Sequence, residues 1–284
     1  MLGKLLKHEW RAVWKVPTLL IGVLMIIAVA AGCTFALPIW DSEWIGLPLS
    51  GVMMIVMFYF AMIAVGIGIT IYFAVRYYKN MYTDEGYLTH TLPVTARSLL
   101  LNKVITMTAW NLIGGVAIIV SIFVFGGVTL LALMPKDSSY ARELVEAFVQ
   151  LPAALRELWN EPALRGINGF CASIIFLVLA SAFSGTMMVI GSITLGQMVR
   201  KHRILGAVGA YFAINCAMQF LTTIIIMPVM MMRINGAIDD MYMDVSPFPV
   251  MTPMYIIIAV VSLGIAIGLY FMSEYLVRRR LELE

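Results

Sequence analysis

Charged residues are scarce in this sequence. Of its 284 residues, 12% are Asp, Glu, Lys or Arg, whereas 62% are hydrophobic. An ordinary soluble domain carries about 25% charged residues, because its surface must stay hydrated. The composition therefore excludes a soluble enzyme or a nucleic-acid-binding domain as the bulk of the chain. It indicates an integral membrane protein.

Cysteine and histidine are also scarce. The three cysteines lie in apolar runs without CxxC spacing, so neither a disulfide framework nor a zinc site is predicted. The three histidines lie outside those runs, which leaves no histidine within a span to activate a serine nucleophile. The phosphate-binding pattern GxxxxGK[ST] is missing as well. We therefore expect no catalysis and no bound cofactor or metal in this chain.

Ionisable side chains are missing from the interiors of the apolar runs. Proton pumps and ion-coupled transporters usually keep such groups at membrane depth, where they mark the ion path. An ion-coupled mechanism thus has no obvious carrier here. Because backbone carbonyls can bind sodium, an ion-coupled secondary transporter nevertheless stays open as an alternative.

What the chain does contain is six apolar stretches, each long enough to cross the roughly 30 Å hydrocarbon core as a helix. They cover residues 17–40, 51–73, 104–134, 169–199, 205–232 and 254–275. As a helix, each stretch would be apolar on every face, and the sequence lacks the ten-residue alternating patterns of β-barrel strands. Both features favour helices over a β-barrel. We predict an all-α membrane protein with a single transmembrane domain over residues 1–284.

Lysine and arginine are distributed unevenly among the connecting segments. Most of the 19 lie in the N-terminal segment, in the connection between the second and third spans, in 200–203 and in the C-terminal tail. Cytoplasmic segments carry such an excess. Both termini are therefore predicted to be cytoplasmic, and residues 135–168 form the longest external loop.

Residues 1–15 form an amphipathic pattern at helical spacing. Trp10, Trp14 and several leucines share one arc, whereas Lys4, Lys7 and Arg11 gather on the opposite side. A short helix of this kind typically lies in the membrane plane with its cations near anionic headgroups. We predict an interfacial helix that contacts membrane lipid.

A few polar and small residues interrupt the spans. Asn111, together with Asn215 and Gln219 one turn apart, either lines a pathway or forms hydrogen bonds between helices, and the sequence leaves both readings open. Gly264 and Gly268 form a GxxxG pattern that lets helix backbones approach closely. We expect these glycines to pack within the helix bundle rather than to form a dimer face.

The connection between the second and third spans, residues 80–95, is longer than a turn requires. Thr83 can cap a short helix in which Leu88 and Leu92 share one face. Thr95 can cap the helix that leads into the third span. We predict a short helix with a docking surface at this connection; an ordinary solvated loop is the alternative.

The six spans, the N-terminal helix and the run Thr83–Leu88 followed by Leu92–Thr95 resemble the permease subunits of type-2 ATP-binding-cassette (ABC) exporters, as found in Gram-positive-type bacteria. The resemblance implies a multi-pass protein of the bacterial cytoplasmic membrane. In that family the N-terminal helix is a connecting helix, and the loop provides a coupling helix that docks on a separate cytoplasmic ATPase subunit. The residues that would dock are Asp84, Glu85, Gly86, Tyr87, Leu88, His90, Leu92 and Pro93.

The resemblance further implies outward transport of a peptide or lipophilic antibiotic, as in antimicrobial peptide resistance. ATP and Mg would bind the partner ATPase, and the permease would pair with a second copy or with a sister permease. The family usually places its large external element between the last two spans, whereas this chain has its longest external segment at 135–168. A membrane sensor or immunity protein that transports nothing is the main alternative from another functional class.

Overall fold

The computed structural model describes residues 2–37, 46–83, 95–133, 150, 166–199, 202–239 and 248–279. Within these ranges the chain forms seven α-helices and no β-strand. The helices are α1 (Leu2–Val13), α2 (Lys15–Cys33), α3 (Gly46–Tyr82), α4 (Ala96–Leu133), α5 (Ile167–Gly196), α6 (Arg203–Asp239) and α7 (Phe248–Arg279). A short 3-10 turn, Thr34–Ala36, follows α2.

Six of these helices, α2 to α7, are long and apolar enough to cross a membrane. The prediction of an all-helical, multi-pass membrane protein is therefore confirmed. Helix α2 ends at Cys33, whereas the first apolar stretch of the sequence continues to Trp40, beyond the described residues. The direction in which the chain crosses the membrane, and the position of α1 at its surface, stay predictions.

The longest helices are α3, with 37 residues, and α4, with 38. At 1.5 Å per residue each extends about 56 Å, well beyond the roughly 30 Å of a hydrocarbon core. Parts of both helices must therefore project out of the bilayer or tilt strongly within it. The connection between them begins and ends on these long helices.

The chain separates into two compact units. Unit 1 comprises Met1–Val75 and Ile105–Phe148, and unit 2 comprises Arg76–Val104 and Val149–Glu284. Unit 1 thus contains α1, α2 and most of α3 and α4, whereas unit 2 contains the end of α3, the start of α4 and all of α5 to α7. The connection at 83–95 therefore starts and finishes within unit 2.

Unit 1 is held together by apolar and aromatic contacts. Phe58 of α3 stacks on Phe125 of α4, with ring centroids 5.0 Å apart. Helices α2 and α4 approach closely at Gly32, where an added Cβ would lie 2.8 Å from the Val128 side chain. Glycine is needed at position 32 because any larger residue would push the two helices apart.

Unit 2 is centred on the second half of α5. From Thr186 to Thr194 every residue of this helix is buried. Its neighbour α6 comes closest at Gly196, where an added Cβ would lie 2.5 Å from the backbone nitrogen of Ala207. The backbones of α5 and α6 therefore meet there with no side chain between them.

The GxxxG pattern of α7 does not pack as expected. A Cβ added at Gly264 or at Gly268 would have no neighbour within 4 Å among the described residues. The expectation that these two glycines pack within the bundle is therefore not confirmed. Close approaches in unit 2 occur instead at Gly191 and Gly196 of α5 and at Gly206 of α6, among other glycines.

Candidate functional site

The best-defined polar cluster in the described part of the chain lies where α3 ends. Tyr77 and Tyr82 of α3 are almost fully buried, and both direct their hydroxyls at Thr194 of α5. The Tyr82 hydroxyl donates to Thr194 Oγ1 at 3.1 Å, and the Tyr77 hydroxyl lies 3.4 Å from the same oxygen. The two tyrosine rings meet edge to face with centroids 5.9 Å apart. We call Tyr77, Tyr82 and Thr194 the loop anchor.

The hydrogen bonds of the loop anchor have a defined direction. Thr194 donates its only hydroxyl proton to the carbonyl of Ile190, 2.8 Å away within α5. A threonine hydroxyl has one proton and two lone pairs, so Thr194 can only accept from both tyrosines. All three buried hydroxyls are thereby satisfied. Removing the Thr194 hydroxyl would leave both buried tyrosine hydroxyls without their acceptor, which is costly away from water.

The other end of the connection is fixed at Thr95. The Ser98 amide donates to Thr95 Oγ1 at 3.3 Å and to the Thr95 carbonyl at 2.9 Å. Thr95 therefore caps α4, as the sequence predicts. Thr83, the residue predicted to start the docking helix, donates its hydroxyl to the Lys79 carbonyl at 2.7 Å and so extends the bonding at the end of α3.

The first turns of α4 are buried as well. Four residues of these turns are buried: Leu99, Leu100, Asn102 and Lys103. Asn102 and Lys103 both have interaction partners, although the Oδ1 atom of Asn102 accepts no hydrogen bond among the described residues. Buried contacts of unit 2 therefore hold the chain on both sides of the 83–95 connection, at Tyr82 and within the first turns of α4.

Besides the loop anchor and the Thr95 cap, a third polar cluster lies next to the start of α4. Arg97 of α4 and Glu274 of α7 both lie beside the Tyr270 hydroxyl. That hydroxyl has no hydrogen bond of standard geometry among the described residues. The start of α4, together with α5 and α7, therefore contributes polar side chains of unit 2 around the two ends of the connection.

The predicted docking residues themselves lie outside the described residues. This holds for Asp84, Glu85, Gly86, Tyr87, Leu88, His90, Leu92 and Pro93. The same is true of most of the predicted external loop, 135–168. What the structure places is the pair of attachment points, Tyr82–Thr83 and Thr95.

The amides predicted to line a pathway belong to different units. Asn111 of α4 is half-buried in unit 1 and has an interaction partner. In unit 2, Asn215 is half-buried and Gln219, one turn further along α6, is exposed. No residue from Arg203 to Met232 is buried in the described part of the chain. Helix α6 therefore offers amides on a largely open surface.

The residues predicted for the membrane interface divide into two groups. Lys4, Lys7 and Arg11 are exposed, and Trp14 is 47% exposed. Trp10 instead stacks on Trp110 of α4, with ring centroids 5.0 Å apart and planes inclined by 25°. One side of α1 thus packs on protein while its cations stay outside.

The described residues offer no group of three His, Cys, Asp or Glu side chains suited to a metal ion. Comparison with known proteins adds no family: no protein-family model matches the chain, and no curated protein or solved structure matches it.

Sequence reasoning missed the loop anchor. Thr194 is 112 residues from Tyr82 and 117 from Tyr77, so no local pattern connects them. The available signal was weak: two tyrosines five residues apart at the end of an apolar run, and a threonine near the end of another. Such residues usually mark a membrane interface, where one end of the tyrosine ring meets water.

Proposed function

We propose that this chain is the permease subunit of an ABC exporter, which moves its substrate outward when a separate ATPase subunit binds and hydrolyses ATP. The observation that supports the proposal is the attachment of the 83–95 connection at both ends. Tyr82 is bonded to α5, and Thr95 starts a helix whose first turns are buried. A docking segment needs such attachments to act on the rest of the protein.

A displacement of the connection would reach the spans through its two attachment points. A force on residues 84–94 acts first on Tyr82 and Thr95. The Tyr82–Thr194 bond is buried, so breaking it leaves polar groups unsatisfied, and moving α5 with it is the less costly response. The second half of α5 is tightly packed against α6 and α7. Movement of the connection is therefore expected to shift α5.

The proposal assigns the remaining parts as follows. ATP and Mg bind the ATPase partner, since this chain lacks a phosphate-binding loop. Asn215 and Gln219 provide polar contacts along the pathway of a peptide or lipophilic antibiotic. A second permease copy or a sister chain completes the transporter in the bacterial cytoplasmic membrane. This chain has no catalytic role of its own.

The first test is co-purification of an ATPase with the detergent-extracted protein. Reconstituted transport should then require ATP and that ATPase, and it should survive the collapse of ion gradients. Transport driven by a sodium or proton gradient alone would identify a secondary transporter. An intact membrane protein with neither an ATPase partner nor transport would favour the sensor or immunity alternative.

The second test concerns the docking residues. Leu88→Ala combined with Leu92→Ala should release the ATPase or abolish substrate-stimulated ATP hydrolysis, because each buried anchor in an interface commonly contributes about 2 kcal/mol or more. Ser42→Ala, on the side predicted to be external, is the control and should have no effect. Full transport by the double leucine variant would make the connection an ordinary loop.

The third test concerns the loop anchor and uses a matched pair of variants. Tyr82→Phe removes the hydroxyl that donates to Thr194, whereas Tyr78→Phe removes a hydroxyl from a half-buried tyrosine on the same turn. Tyr82→Phe should retain ATPase binding but weaken the stimulation of ATP hydrolysis by substrate, and Tyr78→Phe should leave both unchanged. Equal behaviour of the two variants would remove the loop anchor from the coupling route.

A further inference from the structure

Ser273 of α7 carries a buried hydroxyl that the loop anchor does not use. The residue is fully buried, and its Oγ atom has no hydrogen-bond partner among the described residues. Ser262, on the same helix and also buried, instead donates to the carbonyl of Ala259 at 2.9 Å. A buried hydroxyl without a partner is costly and uncommon, so the position of Ser273 calls for an explanation.

Helices α5 and α7 run in the same direction and pack along much of their length. A Cβ added at Gly169, near the start of α5, would lie 3.8 Å from the Thr252 side chain, and one added at Gly191 would lie 3.1 Å from that of Leu269. Ser273 follows Leu269 by one turn. Both belong to the buried face of α7, which consists of Ala259, Ser262, Ala266, Leu269, Ser273 and Val277. Ser273 therefore lies on the side of α7 that faces α5.

Thr194 lies at the same level of this helix pair. It follows Gly191 by three residues, about 4.5 Å along the axis, and Ser273 follows Leu269 by four, about 6 Å. Relative to the contact between Gly191 and Leu269, Thr194 is rotated by about 60° in one sense and Ser273 by about 40° in the other. On parallel helices that face each other, opposite rotations lead to the same side. Both hydroxyls therefore belong to one groove between α5 and α7.

The two tyrosines that enter this groove are not bonded equally. The Tyr82 hydroxyl lies 3.1 Å from Thr194 Oγ1, and the Tyr77 hydroxyl lies 3.4 Å from it. Hydrogen bonds between hydroxyls usually span about 2.5–3.0 Å, so Tyr77 has the weaker bond. Tyr77 is also fully buried, which keeps bulk water from replacing a lost partner.

We propose that Ser273 is a second acceptor for the Tyr77 hydroxyl, used when α5 and α7 shift relative to each other. Tyr77 then donates to Ser273, whose own proton turns to the Leu269 carbonyl one turn earlier, as that of Thr194 turns to Ile190. Tyr82 keeps its bond to Thr194, so α5 still follows the connection. The exchange gives unit 2 two discrete bonding arrangements, which is what a switching element requires.

The exchange is tested on the full chain in detergent, by thermal unfolding without an ATPase. In the parent protein, Ser273→Ala should leave the melting temperature unchanged or raise it slightly, because it removes a buried hydroxyl that has no partner. Thr194→Val takes away the present acceptor of both tyrosines, and relaxation of the helices then brings Tyr77 to Ser273. In that background, Ser273→Ala should lower the melting temperature by about 2–4 °C, the shift from one lost hydrogen bond in a chain of comparable size. Thr194→Ala is measured in parallel, in case valine does not fit.

Matched variants identify the residues of the exchange. Ser262→Ala, the same substitution on the same face of α7, should have equal effects with and without Thr194→Val. Adding Tyr77→Phe to Thr194→Val should remove the loss caused by Ser273→Ala, whereas adding Tyr82→Phe should not. Equal effects of Ser273→Ala in the two backgrounds would overturn the proposal, and an equal loss would indicate a partner independent of the tyrosines, such as a buried water molecule. Removal of the loss by Tyr82→Phe alone would also overturn it.

The consequence for transport rests on the proposed function. With the ATPase bound, Ser273→Ala should retain ATPase binding but lower substrate-stimulated ATP hydrolysis by about fivefold, the change expected from one hydrogen bond that forms only in the shifted arrangement. Unchanged hydrolysis would overturn the role of the exchange in coupling. Absence of an ATPase partner, together with the reversed effect of Ser273→Ala on the melting temperature, would count against the proposed function and not against the exchange.

Discussion

One well-defined contact between helices in each unit allows a comparison. In unit 1, Phe125 of α4 packs against the rings of Phe58 and Phe35. In unit 2, the hydroxyls of Tyr82 and Tyr77 bond to Thr194 across 112 and 117 residues of sequence. Stacked rings tolerate small shifts, whereas a hydrogen bond weakens steeply with distance and angle. At these two contacts, the positions of the helices are therefore specified more narrowly in unit 2 than in unit 1. Unit 2 also holds both ends of the 83–95 connection.

The largest effect is expected where backbones meet in unit 2. Gly196→Ala would place a Cβ 2.5 Å from the Ala207 nitrogen and 2.6 Å from its Cα, so α5 and α6 must separate. We expect a loss of about 3 kcal/mol in the free energy of unfolding, the upper part of the range for overpacking. It should appear as a lower melting temperature in detergent. The control is Gly185→Ala on the same helix, where the added Cβ meets no described atom within 4 Å. This variant should not lower the melting temperature.

The second-largest loss of stability is expected when the hydroxyl contacts between α3 and α5 of unit 2 are removed. Thr194→Val keeps the shape of the side chain but leaves two buried tyrosine hydroxyls without an acceptor, which should cost about 2 kcal/mol. Thr194→Ser should restore most of the stability. In unit 1, Ser121 is buried and bonds only to Ile118 of its own helix, so Ser121→Ala should be nearly neutral. Equal losses from Thr194→Val and Ser121→Ala would remove the distinction between the units.

A smaller effect is expected from the aromatic contacts of unit 1. Phe125→Leu removes the stack on Phe58 and the edge contact with Phe35, and it should cost about 1 kcal/mol beyond the change in buried area. Phe123, two residues earlier on α4, is 75% exposed, so Phe123→Leu should leave the melting temperature unchanged. A loss from Phe125→Leu as large as that from Gly196→Ala would mean that unit 1 is specified as narrowly as unit 2.

The smallest effect is expected at the GxxxG pattern of α7. Gly264→Ala with Gly268→Ala adds two methyl groups that meet no described atom within 4 Å. The melting temperature and the oligomeric state, measured by size-exclusion chromatography with light scattering, should both stay unchanged. A shift in either would show that this face of unit 2 is covered by residues beyond the described ones or by a second chain.

Hydropathy alone predicts most of the fold. Six spans follow from the length and apolarity of their runs, and the Thr95 cap follows from local chemistry, since a cap depends only on residues within one turn. The ends of the spans are harder to predict, because apolarity does not distinguish a helix inside the bilayer from its continuation beyond it. Helix α3 therefore reaches Tyr82, although its apolar stretch was expected to end at 73.

The loop anchor is not predictable in the same way. Nothing in the local sequence distinguishes Tyr77 and Tyr82 from Tyr78, which lies on the same helix but is only half-buried. Only tertiary packing decides which tyrosine hydroxyl meets Thr194. The glycines also show what sequence patterns do not predict. The GxxxG pattern at Gly264 and Gly268 predicts close packing, yet among the described glycines the shortest distance from an added Cβ to backbone occurs at Gly196, which belongs to no GxxxG pair.

The hydrogen bonds at Thr194 restrict which residues related sequences can have at positions 77, 82 and 194. Its single proton is committed to Ile190, and both of its lone pairs receive tyrosine protons. Among uncharged side chains that fit a tightly packed helix, only serine offers the same one donor and two acceptor sites. Drift at positions 77, 82 and 194 should therefore be correlated. Chains that replace both tyrosines with phenylalanine are free to place an aliphatic residue at 194, whereas chains that keep a tyrosine should retain threonine or serine there.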